Sequence, residues 1–207
     1  MSHGVHAVQH EAEHRIEHGS DHGDHGLEGR NKKIALLIAV IALFLALSET
    51  LGKSAQTSAL NYNVEASNLW AFFQAKTIRR TLVETAAQAG ALQADSAPNE
   101  TSKAAFAKQI EAWQKTGARY RTEPETQEGT DELAARAKEA EHKREVALAK
   151  YHHYEVASAA FQIGIVLASA TVITGMIALS WLSGALAFIG LGFMAIALFA
   201  PHAVHLF

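Results

Sequence analysis

Seven histidines open the chain at steps of three or four residues, a pattern that can bind a transition metal. They are His3, His6, His10, His14, His18, His22 and His25. At ~100° per residue, the first five would share roughly a third of a helix's circumference. Imidazoles four residues apart can chelate one Zn²⁺, Ni²⁺ or Cu²⁺ ion. The alternative is a hydrated tail, because histidine-rich tracts bind metals by composition alone and gain charge below pH ~6.5.

Other kinds of site chemistry find little support in the sequence. No nucleophile-and-base pattern, Walker loop, dinucleotide glycine motif or HExxH motif occurs. The chain has no cysteine, which excludes disulfides and thiolate chemistry. Glu139-Ala-Glu-His142 occurs once, whereas a di-iron bundle needs two such motifs. A net charge of −3 without a basic stripe gives no sign of nucleic acid. We therefore expect a protein that is not an enzyme.

Three long apolar segments predict a membrane protein. Residues 34–47 have no polar side chain, and residues 156–182 and 184–200 carry no charge. Completed to residue 52, the first segment approaches the ~30 Å hydrocarbon core, and the others also suffice. A cleaved signal is disfavoured because the preceding tail, 1–33, is long and acidic. A soluble bundle would have too little chain to enclose the last two segments. We predict transmembrane helices at 34–52, 156–182 and 184–200, with a short tail at 201–207.

The polar middle, residues 53–155, reads as helices separated near Pro98 and Pro124. One apolar stripe predicts that a helix continues outward from the first span. It comprises Leu60, Val64, Ala71, Ala75, Ile78, Leu82, Ala86 and Ala89. A four-three pattern typical of a coiled-coil seam follows at Phe106, Ile110, Trp113, Gly117 and Tyr120, with Thr101 or Ser102 as the N-cap. The predicted fold is an all-α membrane protein with a long, coiled-coil-like, three-segment antiparallel stalk between the first and second spans. Glycines 19, 23, 26 and 29 predict that residues 19–30 are flexible rather than helical.

Several residues stand out as candidates for packing or partner contact. Glu49 and Lys53 form a predicted ion pair at the end of the first span, with protomer contact or ion access as the alternative. Trp70, Phe73, Arg79 and Trp113 are expected either to pack within the stalk or to bind a partner. Ala160, Gly164 and Ala168 form a line of small residues that suits close helix contact within one chain or between chains.

The segment SETLGKSAQTSALNYNVEASNLWAFFQAKTIRRTL, residues 48–82, resembles a bacterial membrane-protein family called domain of unknown function four-three-three-seven. The resemblance covers nearly the whole chain and implies an inner-membrane protein without an assigned activity. The leading hypothesis is a non-enzymatic, multi-pass scaffold that forms homo-oligomers and binds an unidentified protein partner. The alternatives are a Zn, Ni or Cu buffer or sensor that uses the N-terminal histidines and, less well supported by the few polar groups in the spans, an oligomeric channel.

Overall fold

The computed structural model describes residues 21–203, with side chains from Gly29 onward, and this part of the chain consists of helices joined by short turns, with no strand. Its helices are α1 (Asp21–Asp95), α2 (Glu100–Arg121), α3 (Thr130–Thr174) and α4 (Ile177–Phe199). They form two compact units. Within the described residues, the first unit, here called the apolar unit, combines α1 up to Lys53 with α3 from Ala149 onward and α4. The stalk unit is Ser54–Leu148.

Helix α1 is continuous over 75 residues, so the predicted continuation of the first apolar segment into the stalk is confirmed. The expectation that the glycine-rich stretch before that segment is not helical was wrong, since α1 begins at Asp21. Each interior glycine costs only about 1 kcal/mol. Adding a residue to an existing helix is also far easier than nucleating a new one.

Three helices are long and apolar enough to cross a membrane: α1 from Gly29, α3 and α4. The turn between the last two lies at Gly175 and Met176, whereas we expected it near Ser183. Gly175 adopts a φ of 75°, a conformation that favours glycine. Ser183 lies inside α4. Hydropathy could not locate the turn because the sequence is uncharged on both sides of it.

In the apolar unit, both neighbours of α3 run antiparallel to it. Ser48 of α1 donates a hydrogen bond to the Tyr154 carbonyl, and Ile41 lies beside Gly164. On α4, Ser183 contacts Gly164, whereas Phe193 stacks on His153. The ring of Phe161 is fully buried and stacks on Phe44 with centroids 6.2 Å apart. The core of this unit therefore forms where α1 and α4 meet α3.

In the stalk unit, α2 and α3 pack one after the other along α1. Ile110 and Trp113 of α2 lie against Gly90, and Gly117 faces Val83. Closer to the N-terminus of α1, Trp70 and Asn63 contact α3. Three stalk segments are therefore present as expected, but the second and third occupy successive stretches of the first. A turn at residues 122–129 connects them.

The ends of α2 show why the helix begins and stops where it does. The Asn99 side chain accepts a hydrogen bond from the Ser102 N–H at 2.8 Å, so Asn99 is the N-cap rather than Thr101 or Ser102. After Arg121 the chain turns sharply. A Cβ at Gly129 would meet the Glu123 backbone nitrogen at 2.6 Å, so only glycine fits this turn.

Candidate functional site

Helix α1 has two different long faces in the stalk unit. The buried face, here called the seam, repeats at alternating steps of three and four, the spacing of a coiled coil. Its buried or half-buried residues are Ala59, Tyr62, Ala66, Leu69, Phe73, Lys76, Arg80, Val83, Ala87 and Gly90. The facing residues of α3 keep the same steps at Leu133, Ala137, Ala140, Arg144 and Ala147. The alanines let α1 and α3 approach closely, which makes this part of the stalk a close-packed helical pair.

The other face of α1 is an exposed apolar surface, here called the stripe. It consists of Leu60, Val64, Ala71, Ala75, Ile78, Leu82, Ala89 and Leu92. The five larger side chains, Leu60, Val64, Ile78, Leu82 and Leu92, are between 58% and 73% exposed. All but Leu92 belong to the pattern that predicted this helix. The strongest apolar pattern in the stalk therefore faces outward, and the weaker, alanine-rich pattern forms the packed seam.

The stripe is bordered mainly by uncharged polar residues, with one exposed charged residue, Arg79, on the same side as Asn61. Asn61, Asn68, Gln74, Thr81 and Gln88 lie on its two sides, by helical geometry. Lys76 and Arg80 point into the seam, and Arg80 pairs with Glu84 at 3.1 Å. Arg79 is exposed and lies ~100° around the helix from Ile78. A long surface with exposed aliphatic side chains and few charges is typical of a protein contact.

An aromatic pair fixes α1 against α3 in the stalk unit. Trp70 packs edge-to-face on Phe73, with ring centroids 5.4 Å apart. Both rings lie against a buried cluster that includes Leu69 and Leu133. The indole Nε1 of Trp70 donates a hydrogen bond to Glu141 at 2.9 Å. Of the two sequence-based alternatives for Trp70 and Phe73, this geometry places them in packing within the chain.

A buried lysine of α1 lies where the helix packed against α1 changes from α2 to α3. Lys76 is 6% exposed, and its ammonium lies 3.0 Å from Glu123 and 3.7 Å from Glu128. The same ammonium approaches the rings of Phe72 and Tyr120 at 5.7 and 5.8 Å. The hydrogen bond from Lys76 lowers the pKa of the Glu123 carboxyl. This cluster connects the 122–129 turn to α1.

The line of small residues in α3 is used for contacts within one chain. Ala160 and Ala168 are buried. The Gly164 carbonyl accepts a hydrogen bond from the Ser183 hydroxyl at 2.7 Å. On α4, a Cβ at Gly190 would lie 2.7 Å from the Phe161 ring. Helices α3 and α4 therefore pack closely, and this line is covered by the chain itself.

The remaining candidates are distributed along α1 and α2. The Glu49 carboxylate accepts a hydrogen bond from Gln162 of α3 at 3.2 Å, and Lys53 is exposed four residues later. Trp113 is half-buried on the inner face of α2. The first five histidines lie outside the described residues. His22 and His25 fall within α1, but their side chains are not described. From Gly29 to Ala203 no group of three histidine, aspartate or glutamate side chains is arranged to hold a metal ion.

Sequence reasoning missed several buried polar residues, including three that make polar contacts with other segments of the chain. Lys76, His153 and Ser183 all have low exposure. The burial of Lys76 could have been predicted from spacing, because Phe73, Lys76 and Arg80 continue the three-four repeat of the alanines in the seam. His153 contacts Pro201, and Ser183 contacts Gly164. These contacts could not be predicted because they depend on the position of the turn at Gly175.

Comparison with known protein families gives a match over most of the chain. Residues 30–200 match the model of a family described as Domain of unknown function (DUF4337). No curated protein and no solved structure matches the chain. The match covers both units, from the first apolar segment to the end of α4. The chain therefore belongs to the DUF4337 family, as its residues 48–82 had suggested.

Proposed function

We propose that the protein is a non-enzymatic scaffold of the bacterial inner membrane, anchored by α1, α3 and α4, that binds protein partners through the stripe of its stalk unit. Support for the anchor comes from the length and apolar composition of these three helices. The stalk segment of α1 includes Glu65, Lys76, Arg79, Arg80 and Glu84, which makes it unsuitable for the bilayer interior.

One observation carries the proposed binding function: the stripe is exposed on a helix whose opposite face is already packed. Scattered surface leucines are ordinary, but large side chains aligned along one helix form a continuous patch. The packed seam, the Trp70 hydrogen bond and the Lys76 cluster would hold that patch rigid. A rigid surface loses little conformational freedom on binding, which favours affinity.

Photo-crosslinking in native membranes tests this function. A photoreactive amino acid at position 78 is expected to capture a protein neighbour. The matched control places it at Lys138, which is exposed on α3 of the same unit. If position 78 captures no more protein than position 138, the stripe is not a binding surface and the proposed function is wrong.

A second candidate function, metal buffering or sensing, rests on the histidine spacing between His3 and His25. Untagged, detergent-purified protein is compared with protein that lacks residues 1–26, at neutral pH and near pH 5. Stoichiometric binding of Zn²⁺, Ni²⁺ or Cu²⁺ that is lost with the tail and at pH 5 would support it. Binding that survives removal of the tail would contradict it.

A further inference from the structure

The residue types along the stripe favour a particular occupant, a second copy of this chain. The stripe extends from Leu60 to Leu92, which corresponds to ~48 Å of helix. Along it, Ala71 and Ala75 separate two pairs of large aliphatic side chains, Leu60 with Val64 and Ile78 with Leu82, and Ala89 precedes Leu92. Small residues between large ones allow a second helix to approach and pack its own large side chains into the gaps.

The scarcity of charge on the stripe and its borders, where Arg79 is the one charged side chain among the described residues, favours self-association. Two copies anchored in one membrane are related by an axis along the membrane normal, so they meet through the same surface, and residues near the axis contact their own counterparts. A charged residue there would face an identical charge and destabilise the contact. Asparagine, glutamine and threonine avoid this repulsion, because amides and hydroxyls both donate and accept hydrogen bonds and can pair with themselves.

The same borders are a poor match for other occupants. An amphipathic helix that lies on a lipid surface normally has lysine and arginine beside its apolar face. Here Asn61, Asn68, Gln74 and Gln88 take most of those positions, and Arg79 is the one basic residue among them. A strongly charged partner would likewise find no complementary charge along the stripe.

We propose that the stripe is a homodimer contact in which α1 of one copy packs against α1 of another, with Ile78 and Leu82 near the two-fold axis. This inference rests on the proposed function, because the shared membrane aligns the copies. It differs from association through the small residues of α3, which the chain itself covers at Gly164.

Single-cysteine oxidation tests the contact, since the chain has no native cysteine. Ile78→Cys, Leu82→Cys and the control Lys138→Cys are oxidised in native membranes that contain copies with two different tags. We expect disulfide-linked pairs carrying both tags at 78 and 82, in amounts several-fold above position 138. Equal yields at 78, 82 and 138 would overturn the homodimer. Ile78→Lys provides a second test, because it should reduce pairing at Leu82→Cys several-fold without changing the helical circular dichroism spectrum. Unchanged pairing would also overturn the proposal.

The photo-crosslinking experiment distinguishes the homodimer contact from the more general function of binding protein partners. A position-78 adduct that contains only a different protein would overturn the homodimer and leave the scaffold function standing. No adduct at all would overturn both. Adducts between copies of the chain would support both.

Discussion

The indole Nε1 of Trp70 donates a hydrogen bond to the Glu141 carboxylate, joining α1 to α3 across 2.9 Å in the stalk unit. Hydrogen bonds to charged acceptors contribute more than neutral ones. Trp70→Phe keeps an aromatic ring and removes the donor. We expect the free energy of unfolding to fall by about 1–2 kcal/mol, measured by thermal or chemical unfolding of the detergent-solubilised protein. Trp113→Phe is the control, because it shortens another indole that faces α1. Equal losses in both variants would show that the hydrogen bond contributes nothing beyond ring area.

The Lys76 cluster predicts a specific dependence of stability on pH. The pKa of Glu123 lies below its ordinary value of 4.5, first because Lys76 donates a hydrogen bond to the carboxylate. A lowered folded-state pKa adds stability above pH 4.5, and this contribution is lost as the pH falls through the folded-state value. Lys76→Met removes the cause of the shift. We expect the melting temperature of the wild type to exceed that of the variant at pH 7, and the difference to shrink as the pH falls well below 4.5.

Lys103→Met is the control for this pH experiment, because Lys103 forms an exposed pair with Glu100 at 3.5 Å. Exposed pairs contribute little to stability, so its pH profile should match that of the wild type. A difference between wild type and Lys76→Met that stays constant from pH 7 to pH 3 would show that the Glu123 carboxylate does not stabilise the fold through Lys76.

Substitution by alanine is expected to change stability differently at two glycines of α4. A Cβ at Gly190 would lie 2.7 Å from the buried Phe161 ring, whereas a Cβ at Gly192 meets nothing within 4 Å. Gly190→Ala should therefore destabilise the protein by about 1–3 kcal/mol, the usual cost of overpacking. Gly192→Ala should be neutral or slightly stabilising. The measurement is the melting temperature of each variant in the same detergent. Equal melting temperatures would contradict the close packing of α4 on α3.

A buried histidine holds the end of the described chain. His153 is 1% exposed, and its Nε2 lies 3.0 Å from the Pro201 carbonyl oxygen. A carbonyl oxygen can only accept, so Nε2 carries the donated hydrogen. His153→Leu removes this bond. We expect faster hydrogen exchange at the Ala203 N–H, which donates to the Ala200 carbonyl. His152→Leu, at a more exposed neighbouring position, should leave that exchange unchanged. Equal acceleration in the two variants would argue against the anchoring role of His153.

The sequence predicted the helices well because long apolar segments, proline interruptions and three-four spacing are local signals. Glu100–Arg121 forms the helix expected from Phe106, Ile110, Trp113, Gly117 and Tyr120. The direction in which each face of α1 points could not be predicted. Leucine and isoleucine give the stripe the stronger pattern, but α2 and α3 pack on alanines, Tyr62, Phe73 and Lys76. Which of two apolar faces is covered depends on partners elsewhere in the chain.

The sequence allowed most residues of the candidate site to be identified, but it did not show whether each residue packs within the chain or faces outward. Trp70, Phe73 and the small-residue line of α3 were selected for their types, and the structure uses them for packing. The spacing of Ile78 and Leu82 predicts only a helix, whereas in the structure these residues form the centre of the proposed surface. Exposure distinguishes residues that pack within the chain from residues that are free to bind a partner. Helical periodicity contains no information about exposure.

The size of the native complex tests most directly whether the stripe binds protein. Wild type and an Ile78→Lys, Leu82→Lys double variant are extracted with their surrounding lipid into polymer nanodiscs, and the protein mass per particle is measured. We predict that wild-type particles contain more protein than one chain and that the double variant, with an unchanged helical circular dichroism spectrum, falls to a single chain. Wild-type and variant particles with the same protein mass would contradict a binding role for the stripe.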